Sequence, residues 1–161
     1  MSELPSPTLS LKVERASVSS RDALRLMKCM CGEIDELYGN PPASTPFDLS
    51  GMDAPGAVFV VARASGRAVG CAALRPLEAT TAEVKRMYVV PAARKQGLAR
   101  EIMRSLEEIA RECGFSAIWL ETGQRQPGAI RLYESLGYKR IAAYGDYKDD
   151  PVSVCFGKSL I

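Results

Sequence analysis

Residues 84–100 read V-K-R-M-Y-V-V-P-A-A-R-K-Q-G-L-A-R, and the reading of the whole chain turns on them. The first seven residues are a strand, apolar at its C-terminal end. Pro91, which cannot donate to a ladder, ends it. An amphipathic pattern of helical period follows over residues 97–113. A loop at this junction aims several backbone N–H groups at one point, where the positive end of the helix dipole also lies. That is a place for phosphate. Gly97 lets an anion reach the backbone with no Cβ in the way, and Ala99 is nearly as small. Taken alone, the glycine also suits a tight strand-to-helix turn. The loop lacks the G-K-[ST] of a P-loop and the three glycines of a dinucleotide fingerprint.

The 161 residues are expected to form one domain, 1–161, with residues 1–7 disordered. Hydrophobic residues are 47% and charged residues 25%, and the net charge is +2. This balance offers no bulk charge for nucleic acid or a membrane surface, and neither is expected as a partner. The chain has no histidine, which removes histidine triads, histidine metal ligands and a histidine base together. Five cysteines (Cys29, Cys31, Cys71, Cys113, Cys155) form no C-x-x-C pair. They read as reduced thiols acting as small buried apolar residues, with no metal site and no disulfide framework. The start M-S-E-L-P-S-P is not a signal peptide, and no run is long enough for a membrane helix. The expected location is the cytoplasm.

Outward from the central stretch, alternation over residues 8–16 (Leu9, Leu11, Val13) predicts a first strand. Ser19 or Ser20 caps a helix to residue 37, with Leu24, Met27, Met30, Ile34 and Leu37 as its apolar stripe. Residues 39–55 are loop by composition. Runs 57–64 and 67–74, joined by Ser65-Gly66, predict a hairpin. Residues 80–90 are the next strand and residues 117–121, A-I-W-L-E, a short buried one. Pro127 opens a helix that Gly137 stops, and residues 139–147 and 152–158 alternate as a last antiparallel pair. The order predicts a mixed α/β fold: a mostly antiparallel sheet of six to seven strands, flanking helices, and one strand–helix–strand crossover.

The hexad Arg94-Lys95-Gln96-Gly97-Leu98-Ala99 fits [QR]-x-x-G-x-[GA], and thirty residues on comes A-I-R-L-Y-E-S-L-G-Y, residues 129–138. Together the two signatures, over residues 56–158, resemble the GNAT N-acetyltransferase superfamily. The resemblance implies acetyl-CoA as donor and a fold whose fourth and fifth strands, here 80–90 and 117–121, splay apart around the thioester. Backbone N–H groups of Gln96, Gly97, Leu98 and Ala99 would hold the pyrophosphate, with Arg94, Lys95 or Arg100 adding charge. Main-chain groups of Met87, Tyr88 and Val89 would pair with the pantetheine arm. Many relatives place an asparagine before the second signature to touch that arm. Here Gln126 or Gln124 stands in its neighbourhood.

Acetyl transfer to an amine needs a base, an oxyanion donor and a proton for the leaving thiolate. The resemblance puts the base at Glu83, eleven positions before Arg94. Its bland alternative is an exposed strand residue paired with Lys85 or Arg86. Glu121, at the other lip of the gap, is the second candidate, and some relatives use no dedicated base. Tyr133 occupies the family's tyrosine position facing the CoA sulfur; it could instead simply pack with Ile130 and Leu136. The backbone N–H of Met87 is the implied oxyanion donor. Tyr144 and Tyr147 are candidates to line the acceptor pocket, and Asp35, Glu36, Asp48 and Asp53 hint at an amine acceptor, a small molecule or a peptide. Direct attack in a ternary complex is expected, since no activated cysteine or histidine is present for a ping-pong route. The competing readings are a CoA-binding sensor without chemistry and a transferase of another acyl-CoA. Oligomeric state stays open, a homodimer being common in the family.

Overall fold

The computed structural model describes residues 10–45, 51–52 and 54–161. The expected disorder of residues 1–7, the first two residues of the predicted strand 8–16, and Asp48 and Asp53 lie outside that range. Seven strands form one sheet: β1 (Leu11–Arg15), β2 (Val58–Ala64), β3 (Arg67–Pro76), β4 (Thr81–Val89), β5 (Ala117–Gly123), β6 (Lys139–Ile141) and β7 (Ser153–Ser159). Their spatial order is β1-β2-β3-β4-β5-β7-β6, and every pair is antiparallel except β4–β5. Three helices flank the sheet: α1 (Arg21–Tyr38), α2 (Leu98–Glu112) and α3 (Pro127–Ser135). The predicted mixed α/β class therefore holds.

Alternation along the strands divides the core in two. Val60, Ala62, Ala72, Leu74, Ala82 and Val84 pack against Ile102, Met103 and Leu106 of α2. Phe59, Val61, Cys71 and Ala73 pack against Leu26, Met27 and Met30 of α1. The α1 stripe is rotated from its predicted position. Ala23, Leu26, Met27, Met30 and Cys31 are buried, whereas Leu24 and Leu37 are exposed. The spacing i, i+3, i+4, i+7, i+8 is kept, with Ala23 and Cys31 on the buried face in place of Leu24 and Leu37. Ser20 caps α1 by accepting from the Ala23 N–H (3.2 Å).

The Ser65-Gly66 hairpin forms with both residues at positive φ (49° and 83°), the twist a two-residue connection needs. The last antiparallel pair is shorter than its alternation suggests. Its first strand stops at Ile141, because residues 145–147 turn into a 3₁₀ helix. Two cysteine assignments need correction. Cys31, Cys71 and Cys155 are buried, but Cys29 and Cys113 are exposed, and all five are free.

One irregularity in β4 organises everything near the site. Cys71 pairs with Tyr88 and Ala73 with Lys85, so one residue too many lies between them on β4. This is a β-bulge, and Arg86 within it has φ 60°. The bulge reverses the strand's alternation: Ala82 and Val84 face α2 before it, while Val89 faces α2 and Tyr88 faces α1 after it. It also ends the parallel ladder. β4 and β5 pair only from Thr81↔Ala117 to Val84↔Leu120, although both strands continue. Beyond that rung they part.

Candidate active site

The parted strands open a cleft of about 1270 Å³ that runs through the sheet from α1 to α2 and α3. Its walls are β4 from Val84 to Val89, the loop before α2, the end of β5, α3, and the inner side of α1.

At one end lies the glycine loop. Lys95 (φ 63°) and Gly97 (φ 83°) are both left-handed, and Gly97 precedes α2 without a side-chain cap. The first-turn N–H groups of α2 are thus left without the usual side-chain acceptor. A Cβ built on Gly97 would meet nothing within 4 Å, so the space beside it is open. Glycine is set there by its φ as well as by access. Leu98 is buried beneath the loop, Ala99 and Arg100 line the cleft, and the Gln96 side chain is exposed outside it.

Arg94 is less available than its place in the motif suggests. Its Nη2 donates to both carboxylate oxygens of Glu33 (2.7 and 2.8 Å) and its Nε to the Val89 carbonyl (2.9 Å). The guanidinium also sits 5.7 Å from the Tyr88 ring centroid. Two elements are joined this way, the loop and α1, and one of the Val89 groups expected to meet pantetheine is taken. Arg100 donates to Ser135 on α3 (2.7 Å).

Tyr133 is buried and lines the cleft. Its ring packs 6.0 Å from Tyr138 and from Phe156, and its hydroxyl makes no hydrogen bond among the described residues. Burial, helped by the Glu121 charge, raises the phenol above its ordinary range, so it stays protonated at neutral pH. Met87 lies in the bulge, outside the pairing of either neighbouring strand, and lines the cleft. Of the two glutamines, Gln126 lines the cleft, whereas Gln124 donates to the Pro151 carbonyl (2.7 Å) away from it.

The two carboxylate candidates are in different settings. Glu83 is buried (1% exposed), where the bland reading had an exposed residue. Its partner is neither Lys85 nor Arg86 but Arg75, directly opposite on β3: Arg75 Nε donates to one oxygen (2.8 Å) and the Tyr144 hydroxyl to the other (2.6 Å). Glu83 is not among the cleft residues. Glu121 is, and it accepts from Ser153 (3.2 Å). Burial lifts its carboxyl above the usual range, against the Ser153 hydrogen bond. Beside it are Tyr147 and Lys85; Lys85 donates to the Tyr147 hydroxyl (3.2 Å), and burial lowers its ammonium. Of the tyrosine pair, Tyr147 lines the cleft and Tyr144 supports Glu83.

Among the acidic residues taken as acceptor hints, Glu36 lines the cleft but Asp35 does not. Asp35 is buried and accepts from the Ser44 hydroxyl (3.1 Å), the Thr45 N–H (2.9 Å) and the Thr45 hydroxyl, so it fastens the loop after α1. Sequence reasoning missed Glu33, Tyr38 and Arg125. Tyr38 reaches across from α1 to Gly123, where a Cβ would lie 1.7 Å from its hydroxyl, and Arg125 stacks 5.6 Å from its ring. The one available signal was the glycine ending β5, which admits this close approach. Among the described residues no group of His, Cys, Asp and Glu is arranged for a metal, and no helix is long and apolar enough to cross a membrane.

Comparison with known proteins places this geometry. Residues 26–138 match the family model described as acetyltransferase (GNAT) family. The IAA acetyltransferase of Azospirillum brasilense is 40% identical over 132 residues, covering 80% of this chain and 86% of that protein. A Klebsiella pneumoniae protein provisionally called an acyl-CoA N-acyltransferase superposes with a TM-score of 0.83 at 28% identity, covering 94% of this chain and 98% of the other. At 21% identity and a TM-score of 0.63, yncA of Salmonella typhimurium, solved with its cofactor acetyl-CoA, shares the fold over 94% of each chain.

Proposed function

Because the chain belongs to the GNAT acetyltransferase family, we propose that it moves the acetyl group of acetyl-CoA onto a primary amine by direct attack. One domain spanning residues 1–161 would carry the reaction, in the cytoplasm. The carrying observation is the cleft through the sheet: the phosphate-type loop and Tyr133 lie toward α2 and α3, and Glu121 opens from the α1 face. Two substrates entering from opposite faces would meet in the gap.

Bound there, acetyl-CoA supplies an acyl carbon and a thiolate leaving group. The N–H groups of Gly97, Leu98 and Ala99, with that of Gln96, hold the pyrophosphate, Lys95 and Arg100 adding charge at the rim. Arg94 joins them only by leaving Glu33. The arm lies along Met87, Tyr88 and Val89, with Gln126 beside it. Glu121 takes the proton of the attacking amine; it faces the cleft, its basicity is raised by burial, and one oxygen has no donor among the described residues. Glu83, with both oxygens engaged, positions β4 against Tyr144. As the N–C bond forms, the carbonyl oxygen takes the charge and the Met87 N–H receives it. The C–S bond then breaks, and the Tyr133 hydroxyl gives its proton to the sulfur.

The test is thiol release from acetyl-CoA over a panel of amines, with native protein and Tyr133→Phe. General acid catalysis contributes about 10²–10⁴-fold, so the variant should lose about 10²-fold in kcat. Its melting temperature should hardly move, because no protein hydrogen bond is lost. Tight CoA binding with no acetylation of any amine would return the sensor reading instead.

A further inference from the structure

The last rung of the β4–β5 ladder is Val84↔Leu120. The next rung in that register would set Lys85 opposite Glu121. In a continuous sheet such a pair closes into a cross-strand salt bridge. Here the strands have already begun to part, and no ion pair joins the two. The rung they would have shared places them on facing strands across the gap. Both line the cleft and both point to the α1 face, where the acceptor would enter.

Lys85 is the odder partner. Among the described residues its ammonium touches no carboxylate. It donates to the Tyr147 hydroxyl and sits 5.7 Å from that ring's centroid. A partly buried ammonium held only by a neutral phenol is costly unless an anion arrives. Glu121 is matched in the opposite sense, as a half-buried carboxylate whose one donor among the described residues is the Ser153 hydroxyl. A molecule with an amine at one end and a carboxylate a few ångströms away would satisfy both groups at once.

Building on the acetyl-transfer reading above, we infer that the acceptor is a small zwitterion of the α-amino acid class, its amine directed at Glu121 and its carboxylate held by Lys85. Lys85 is then a specificity residue and not part of the acyl chemistry. Tyr147 orients it, and Tyr38, whose buried hydroxyl has no hydrogen-bond partner among the described residues, is placed to close over the bound acceptor from α1.

The experiment compares matched acceptors that differ by the carboxylate alone: phenylalanine against phenethylamine, leucine against isopentylamine, tyrosine against tyramine. Acetyl-CoA is the donor, and a lysine-containing peptide serves as the polymer control. A charge-assisted hydrogen bond is worth about 10–100-fold, so at least one amino acid should exceed its amine by that factor in kcat/KM. Lys85→Met should bring the ratio close to one, mainly through KM, and Lys85→Arg should restore most of it. Amines or the peptide used as well as the amino acids would overturn the inference, as would a Lys85→Met variant that weakens both members of a pair equally. If amines are acetylated without regard to the carboxylate, only this inference falls. If CoA binds and nothing is acetylated, the acetyl-transfer reading falls and takes this one with it.

Discussion

Glu121 carries a conflict between stability and chemistry that a single substitution can expose. Burial raises its pKa in the folded protein, so over the interval between the unfolded value (about 4.3) and the folded one, the native state binds more protons than the unfolded state. The sign follows: stability falls as pH rises through that interval, and below it Glu121 contributes nothing. Glu121→Gln should therefore melt higher than the native protein at pH 8 and no higher at pH 4. The same variant should lose acetyl transfer, and the acidic limb of the native kcat/KM profile should lie above the ordinary carboxylate range. A variant that melts lower at every pH, or keeps its activity, would remove Glu121 from the role of base. Lys85 follows parallel logic with the sign reversed. Its lowered pKa means that the unfolded chain binds the extra proton, so stability declines as pH falls through its titration. Lys85→Met should thus stay folded, which keeps its use as a specificity test clean.

At the scale of elements, β4 sets the site because it changes alternation halfway along. Gly70 on β3 faces the second half of that strand, and a Cβ there would lie 3.0 Å from the Tyr88 carbonyl and 3.1 Å from Ile102 Cδ1. Neither the backbone nor a fully buried isoleucine can yield, so Gly70→Ala should destabilise by about 1–3 kcal/mol, measured by denaturant melts. It should also weaken CoA binding by shifting the strand beside the pantetheine arm. At Gly123 the obstacle is the tip of Tyr38, which can swing away, so the two glycines differ in kind. The same contrast explains what could be read from the chain in advance. Period-two and period-3.6 patterns, Ser20, Ser65-Gly66, Pro91, Pro127 and Gly137 are local signals, and each marked its element. The bulge has no such mark, since the left-handed residue within it is an arginine in K-R-M-Y and not a glycine. Glu83's partner could not be read either. Arg75, Lys85 and Arg86 are all near it in sequence, and only the β3–β4 register places Arg75 opposite. Arg94 and Glu33 are 61 residues apart, and nothing local couples them.

Across the whole molecule, two layers of helices hold a sheet that is open in the middle, and the ligand is what would close it. CoA seated between the parted strands would touch β4, the α2 N-terminus and α3 together. At a concentration 100 times its Kd, such a ligand adds about 2.7 kcal/mol, a rise of roughly 5–10 °C in Tm for a chain of this size. Gly97→Glu should abolish that rise. It sets a carboxylate where the phosphates would lie, and its φ of 83° strains any side chain there, so the variant should also melt slightly lower without ligand. Glu33→Gln tests the other end of the same contact. Arg94 is held by a carboxylate of α1 that competes with phosphate for one guanidinium, so neutralising Glu33 should tighten CoA binding several-fold by calorimetry. Weaker binding in that variant would show instead that the Glu33–Arg94 pair keeps the loop in its receptive form, with α1 a support for the phosphate site and not its rival.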